Sequence, residues 1–385
     1  MKSLSLLLSL VAIALAVPTS RKPFLLNGVT DGFMSDEAVW DTINLDPAAL
    51  RLVQFEGWDP VWITEADKIH AKQQGIPFMD ITDTQDLGSF STLTSHLKPA
   101  FPPTLNATEQ VKSVIKKLST DGMKANLQKF SSYRTSQQWL LSRISEITAD
   151  YAPMDLQDLI SVTEFTHSWG QNSIIVHIDG SAPTGTVIVG AHQDSTNLWP
   201  FLPAPGADDD GSGSVTILEA YRALIASDYR PVQDVEFHWY SAEEGGLLGS
   251  QAVARDYESR KVPVIAMSQF DMTAWVQSGT REEVGIVTDF VDAGLTNFNK
   301  KLVDAYLSIP YVETKCGYAC SDHASWDKAG YASSFTIESK FENSNKHIHS
   351  TQDRIDISPE FSFEHMLEFS KLASAYVIEL AGWKA

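Results

Sequence analysis

The sequence contains few cysteines and few basic residues, and each shortage excludes a class of protein. Only two of its 385 residues are cysteine, so a zinc site built from thiolates alone is disfavoured. Lysine and arginine together number 29 against 49 aspartates and glutamates, which gives a formal net charge of −20. This charge would repel the phosphates of a nucleic acid, and we therefore expect no nucleic-acid partner. The same charge suits a secreted, soluble protein and cationic substrates.

Long apolar runs are missing as well, except at the amino terminus. Residues 1–16 carry Lys2 and then an apolar stretch from Leu4 to Ala16 that ends in Ala-Leu-Ala. This order is typical of a secretory signal peptide, and an N-terminal core helix is the alternative. The stretch is shorter than the ~18 residues that a membrane span needs, and no other run approaches that length. We therefore expect a secreted protein without a membrane anchor.

Two local features fit an extracellular location. Cys316 and Cys320 stand close together in Cys-Gly-Tyr-Ala-Cys, and in a secreted chain we expect them to form one small-loop disulfide. The tripeptide Asn106-Ala107-Thr108 is a glycosylation sequon, and its use would require Asn106 to lie in an exposed loop.

Composition divides the chain into three parts. Residues 17–88 are rich in Trp, Phe and Asp and contain no metal-ligand pattern, so we interpret them as a pro-segment. A small structural subdomain that stays attached is the alternative. The stretch 87–103 is rich in Ser, Thr and Pro, which is typical of a linker. Residues 89–385 contain no internal repeat and are predicted to form one large domain.

Strands and helices are predicted to alternate in the second half of the chain. The strand-like segments are 173–178, 184–190, 234–240, 262–270, 284–288, 311–315 and 333–338. Helical patterns fall between most of them, and a last one spans about 359–380. The alternation predicts an α/β fold in which helices cover both faces of a mostly parallel sheet.

Residues 190–214 gather polar side chains at the end of a predicted strand. His192 ends the apolar run, and Asp194 follows it. A loop rich in Pro and Gly then brings three consecutive aspartates, Asp208 to Asp210, and a Gly-Ser-Gly turn before a helical pattern. Active sites in open α/β sheets lie at the carboxyl ends of strands. For the aspartates alone, a solvated acidic loop is the alternative.

Other predicted strands and the cysteine loop are followed by residues of the same kind. They are Glu243 and Glu244, Asp271, Asp322 and His323, and His347 and His349. Imidazole and carboxylate ligands without thiols suit zinc and related divalent ions. Five such ligands with one shared carboxylate would hold two ions. Each residue alone is more often an ordinary surface or core residue, but their joint occurrence in one domain predicts a metal site.

The motifs that carry these residues resemble those of one family. GAHQDS, APGADDDGSG, SAEEGGLLGS, QFDMTAW, CGYACSDHASW, IESKF and HIHSTQD occur in this order in the secreted bacterial and fungal dizinc leucyl aminopeptidases of metallopeptidase family twenty-eight. The resemblance covers about residues 107–385. It implies a single αβα three-layer sandwich around a mixed, mainly parallel eight-stranded sheet. Residues 89–385 would then be the zinc aminopeptidase catalytic domain of a zymogen.

The activity that the resemblance implies is hydrolysis of the first peptide bond of a peptide with a free amine. The enzyme would carry two Zn²⁺ per subunit and would prefer hydrophobic first residues such as leucine. Its partners would be peptide substrates, and we expect a monomer.

The resemblance also implies a role for individual residues. The metal ligands would be Asp209, which bridges both ions, His192 and Asp271 at one ion, and Glu244 and His349 at the other. Glu243 would be the general base, Tyr318 would stabilise the developing oxyanion, and Asp194 would orient His192. The pocket for the first side chain would be lined by Met272, Ile337, Phe341 and Ile348. The Asp209–Asp210 peptide bond is expected to be cis, His323 to be structural and His347 to be exposed.

Three alternatives remain at this point. A glutaminyl cyclase or a dizinc carboxypeptidase would use the same sheet, although the full set of five ligands argues against the single-zinc cyclase. A binding or inhibitory protein that has lost its metals would lack a ligand or the base, and none is missing here. Peptides with free amines, blocked amines and free carboxylates would distinguish the enzymes.

Overall fold

The computed structural model describes residues 46–89, 100–133, 136–199 and 202–384. The predicted signal peptide and the first part of the predicted pro-segment lie outside the described residues. The described residues form two sheets, one with three strands and one with eight. None of the helices in the described ranges is long and apolar enough to cross a membrane.

The eight-stranded sheet is mixed and mostly parallel. Its strands are β4 (Ile160–Phe165), β5 (Ser173–Ile178), β6 (Thr186–His192), β7 (Asp234–Tyr240), β8 (Val264–Phe270), β9 (Val284–Val287), β10 (Tyr311–Thr314) and β11 (Ser333–Ile337). Their order across the sheet is β10-β9-β11-β8-β6-β7-β5-β4. Strands β7, β6, β8 and β11 are parallel neighbours, so their carboxyl ends lie at one edge of the sheet.

Helices cover both faces of this sheet. They are α2 (Thr108–Ile115), α3 (Thr120–Phe130), α4 (Gln137–Tyr151), α5 (Met154–Gln157), α6 (Gly211–Ile225), α7 (Leu248–Arg260), α8 (Ala293–Tyr306), α9 (His323–Lys328) and α10 (Phe363–Ala381). Helices α6, α8 and α10 enclose the larger apolar core on one face. Helices α7 and α9 enclose a smaller one on the other face. The predicted αβα three-layer arrangement is confirmed.

Strand β6 is buried because its sequence is apolar on both faces, whereas β7 alternates apolar residues with Glu236 and His238, which are buried as a pair. All seven residues of β6 are buried, as are six of the seven in β7. Strands buried on both sides have near-continuous apolar runs, and this made them easy to predict. Strand β4 lies at the edge of the sheet, is half exposed and was not predicted from the sequence.

The first described segment forms a small unit of its own. Strands β1 (Leu50–Phe55), β2 (Val61–Thr64) and β3 (Phe78–Asp80) pair antiparallel, and helix α1 (Glu65–Gln73) follows β2. We call residues 46–89 the N-terminal unit. It packs on the large domain through Met79 and Ile81, which contact Leu247.

Candidate metal centre

The predicted metal ligands meet at the edge where β6, β7, β8 and β11 end. His192 is the last residue of β6, and Asp271 directly follows β8. Glu244 lies in the loop after β7, and His349 lies in the longer loop after β11. Asp209 precedes α6 in the long loop after β6. Residues far apart in the sequence thus meet because parallel strands end together.

The five ligands form two groups that share Asp209. The first group is His192, Asp209 and Asp271, and the second is Asp209, Glu244 and His349; within each group the ligand atoms lie within 4.8 Å of one another. Asp209 Oδ1 is 3.1 Å from His192 Nε2, and Asp209 Oδ2 is 3.0 Å from His349 Nε2. Each oxygen of one carboxylate therefore faces a different group, which is the geometry that a bridging ligand needs.

Two buried ligand oxygens, Asp271 Oδ1 and Glu244 Oε1, have no hydrogen-bond partner among the described residues, and His192 Nε2 makes no well-aligned hydrogen bond although Asp209 Oδ1 lies 3.1 Å away. Buried polar atoms are nearly always hydrogen-bonded, so these atoms in one place require an explanation. Imidazole nitrogens and carboxylate oxygens without thiols are the donor set of catalytic zinc sites. The residues present therefore fit zinc.

The charges of the centre lead to the same conclusion. Burial acts to raise the pKa of Asp209, but the imidazoles of His192 and His349 hold it well below its ordinary range. Burial acts to lower the pKa of His349, but Glu244 and Asp209 raise it to about 10. The nearby carboxylates thus favour protons on the two imidazoles. Cations would replace these protons, because a metal ligand must be deprotonated.

The two adjacent glutamates have different surroundings. Glu244 Oε2 lies 3.1 Å from His349 Nε2, within the second ligand group. Glu243 belongs to neither group. Burial, with Glu244 and Asp322 nearby, raises the pKa of Glu243 well above its usual value. Bound cations would lower that pKa again, which would leave Glu243 as an uncoordinated carboxylate beside the ions.

Asp210 fixes the backbone around the first ligand group. Its carboxylate caps α6 at Gly213 and also accepts the N–H groups of His192 (3.0 Å) and Met272 (3.2 Å). A β-carbon on Gly213 would lie 2.2 Å from Asp210 Oδ1, so only glycine fits there. The Asp209–Asp210 peptide bond is cis, as the sequence resemblance implied.

Asp194 differs in detail from its expected role. His192 Nδ1 is 3.0 Å from the backbone oxygen of Asp194, whereas the Asp194 carboxylate is 3.6 Å away. The shorter contact indicates that the backbone oxygen orients the ring. The carboxylate of Asp194 instead accepts the N–H groups of Glu243 and Glu244, both at 3.1 Å.

The four predicted pocket residues lie together beside the ligands. Met272 and Ile337 are buried, and Phe341 and Ile348 pack against them. Both cysteines join this apolar cluster, and they form the predicted disulfide.

Met272 and His349 have φ angles of 55° and 56°, a left-handed conformation that costs free energy and is concentrated at functional sites.

Tyr318 lies inside the disulfide loop and faces the centre. Burial, together with the charges of Glu243, Asp209 and Asp271, raises the pKa of Tyr318, so its hydroxyl stays protonated. Its ring meets Phe341 edge to face, at 6.3 Å between centroids. The phenol is therefore a hydrogen-bond donor close to the carboxylates of the centre.

Two other histidines, His323 and His347, lie close to the proposed ligands in the sequence. His323 is buried and stacks on Phe335 with 4.8 Å between ring centroids, in agreement with a structural role. His347 was expected to be exposed, but it is half-buried because its ring lies 5.5 Å from that of Trp275.

A third group of possible ligands, His177, Asp179 and Asp234, lies away from this centre. The hydrogen bond to Glu236 and the other nearby carboxylates outweigh partial burial and raise the pKa of His177. A protonated imidazole between carboxylates explains this group without an ion.

Sequence reasoning missed Lys72, which reaches the centre from α1. Its Nζ lies 2.6 Å from Glu244 Oε2. Burial acts against its charge, but Glu244 and Glu243 raise the pKa of Lys72, so the ammonium is retained. No motif surrounds Lys72, and nothing in the sequence connects it with a loop 172 residues away.

Comparison with known proteins agrees with this geometry. The model of peptidase family M28 matches residues 173–372. Leucine aminopeptidase 1 of Trichoderma harzianum is 48% identical over 362 residues, which cover 89% of each chain. Its counterpart in Colletotrichum graminicola is 46% identical over 380 residues, 92% of each chain.

A solved structure shares the fold. The LapA aminopeptidase of Legionella pneumophila superimposes with a TM-score of 0.75 at 27% identity, covering 88% of this chain and 100% of that one. The family match, the two relatives and the zinc-type ligand set agree. The chain therefore belongs to peptidase family M28 and is a zinc aminopeptidase, a hydrolase that acts on peptides.

Proposed function

We propose that the chain is a secreted aminopeptidase that holds two zinc ions and removes hydrophobic first residues, such as leucine, from peptides with a free amino terminus. The observation that carries this proposal is the shared carboxylate of Asp209, whose two oxygens face His192 and His349. His192, Asp209 and Asp271 would hold one ion, and Asp209, Glu244 and His349 the other.

Two residues of the chain, Glu243 and Tyr318, would act directly on the reacting atoms. When bound, the two zinc ions would supply Lewis-acid activation of the water and of the peptide carbonyl. Glu243 would accept the proton of the attacking water and later pass it to the leaving amine. The Tyr318 hydroxyl would donate a hydrogen bond to the oxygen that gains negative charge.

The preference for a free amine is supported by Lys72. Its side chain ends in a primary ammonium, the same chemical group as the amino terminus of a peptide, and this ammonium binds Glu244 at 2.6 Å. The preference for hydrophobic first residues is supported by the apolar cluster of Met272, Ile337, Phe341 and Ile348 beside the ligands.

A substrate panel tests this proposal. The mature enzyme is expected to hydrolyse leucine arylamide much faster than N-acetyl-leucine arylamide, since only the former has a free amine. It is expected to cleave glycine arylamide more slowly than leucine arylamide, because burying a leucine side chain contributes roughly 1.5–3 kcal/mol. Equal rates on the blocked substrate, or cyclisation of an amino-terminal glutamine, would contradict it.

We further propose that residues 1–16 are a signal peptide and residues 17–88 a pro-segment, and that the secreted protein is a monomer. The position of Lys72 in the N-terminal unit supports the pro-segment, since this unit covers a ligand of the proposed centre. The exposed side chain of Asn106 is accessible for glycosylation, as expected for a secreted chain.

The disulfide is expected to matter more for catalysis than for stability. Closing so short a loop contributes about 2 kcal/mol in the chain-entropy model, less than the ~3 kcal/mol of a 15-residue loop. The double variant C316S/C320S should therefore lose roughly 4–8 °C in Tm, at about 2–4 °C per kcal/mol in large domains. Its kcat/KM should fall by about 10²-fold or more, which is about 2.7 kcal/mol, because Tyr318 loses its fixed position. Unchanged kinetics would contradict the role of the loop.

A further inference from the structure

Three carboxylates beside the proposed active site bind the main chain in the same way. Each accepts hydrogen bonds from two consecutive N–H groups: Asp194 from Glu243 and Glu244, Asp353 from Asp208 and Asp209, and Asp289 from Cys316 and Gly317. The first pair belongs to the proposed base Glu243 and the proposed ligand Glu244. The second pair includes the proposed bridging ligand Asp209. The third pair, Cys316 and Gly317, begins the loop that carries Tyr318, and the carboxylate that binds it, Asp289, lies outside the sequence motifs.

Asp289 lies where the disulfide loop leaves the sheet. It follows β9 by two residues, and β9 pairs in parallel with β10, which leads into the loop. Thr288 fixes this junction, because its N–H and its hydroxyl both donate to the backbone oxygen of Thr314 at 3.0 Å. One residue later, the Asp289 carboxylate reaches Cys316 N at 3.2 Å and Gly317 N at 2.7 Å.

The hydrogen bonds to Asp289 and the disulfide constrain the loop in different ways. The Cys316–Cys320 bond joins the two ends of the loop to each other and packs in the apolar cluster beside the sheet. Apolar packing is not directional, whereas hydrogen bonds are. Gly317 is exposed and has a φ of 85°, so the chain turns sharply there with its outer side in solvent. The carboxylate of Asp289 therefore holds the first two residues of the closed loop beside the end of β9.

We propose that Asp289 is a positioning residue: by holding the N–H groups of Cys316 and Gly317, it places the Tyr318 hydroxyl for the reaction. The inference rests on the proposed role of Tyr318. Asp289 does not touch the substrate in this assignment and acts only through the loop. Misplacement of a catalytic group by about 1 Å can cost roughly 10²-fold in rate, so the expected effect is large for a residue outside the centre.

The test compares D289A and D289N with the matched control D292N in the mature, zinc-loaded enzyme. Asp292 also accepts a backbone N–H, that of Leu295 at 2.9 Å, but it caps α8 rather than the loop. D289A should lower kcat on leucine arylamide by about 10²-fold. D289N keeps one acceptor oxygen and should lose less. Zinc content and the disulfide should be unchanged in both, and D292N should keep the wild-type kcat.

A double-mutant cycle with Y318F separates positioning from general loss of structure. If Asp289 acts through Tyr318, D289A/Y318F should have the same kcat as Y318F alone, since coupled residues are not additive. Additive losses, or equal losses in D289A and D292N, would overturn the inference. If Y318F itself has wild-type kcat, the proposed role of Tyr318 fails, and the inference fails with it. Failure of the wild type on the free-amine substrate would instead refute the proposed function.

Discussion

Replacing Glu243 by glutamine is expected to leave the zinc content unchanged while kcat falls by about 10⁴-fold, the upper end of what a general base contributes. The metals should stay because Glu243 belongs to neither ligand group. Turnover should collapse because an amide cannot accept the proton of the attacking water. Metal analysis and single-substrate kinetics on the purified, mature variant measure both quantities.

The adjacent variant Glu244→Gln is the matched control. It makes the same chemical change one residue away, but at a carboxylate whose Oε2 lies 3.1 Å from His349 Nε2 in the second ligand group. A neutral amide oxygen is a poorer zinc ligand than a carboxylate, so this variant should lose affinity for one ion. Added zinc should restore part of its activity, whereas added zinc should not rescue Glu243→Gln.

Two results would contradict the assignment of these glutamates. If Glu243→Gln lost zinc and Glu244→Gln kept two ions, the two roles would be reversed. If both variants kept full activity, the mechanism with two ions and a carboxylate base would be wrong.

Much of the fold could be predicted because the central strands are buried on both faces. The seven strands predicted between residues 173 and 338 are all present, and their ends differ by at most two residues from the predicted ones. An apolar run such as that of β6 is typical of a strand that is buried on both faces. The half-exposed edge strand β4 has no such run, since solvent reaches part of its surface.

The ligand set could be predicted for a related reason. His192 and Asp271 lie at or directly after strand ends, and parallel strands bring their carboxyl ends to one edge. What the sequence could not give were contacts set by tertiary packing. Asp289 lies in no motif, and its bond to Gly317 spans 28 residues. The contact of Lys72 with Glu244 depends on how the N-terminal unit packs on the large domain.

Because Lys72 of the N-terminal unit contacts Glu244, removal of this unit is expected to raise kcat/KM strongly. Lys72 Nζ lies 2.6 Å from Glu244 Oε2, so its ammonium pairs with a proposed zinc ligand, and we expect it to compete there with the ion and with a substrate amine. The unit is also attached by the salt bridge of Arg255 to Asp86 and by the bond of Gln251 to the Asp80 backbone.

The expected increase in kcat/KM depends on the fraction of uncleaved molecules in which the N-terminal unit is undocked from the centre. A docking free energy of about 3 kcal/mol would leave on the order of 1% of molecules open, because about 1.4 kcal/mol corresponds to a factor of ten. Cleavage of the chain between residues 80 and 103 should then raise kcat/KM by roughly 100-fold. Amino-terminal sequencing of the active secreted protein should find its first residue in that range.

Lys72→Met in the uncleaved chain isolates the contribution of the ammonium. The variant keeps a long side chain but cannot bind Glu244, so the uncleaved protein should be several-fold more active than the uncleaved wild type. After cleavage the two proteins should be indistinguishable, because Lys72 has left with the segment, and this equality is the internal control. A secreted protein that begins at Val17 and is fully active would refute the pro-segment. An uncleaved Lys72→Met variant no more active than wild type would show that the unit covers the centre without help from this charge.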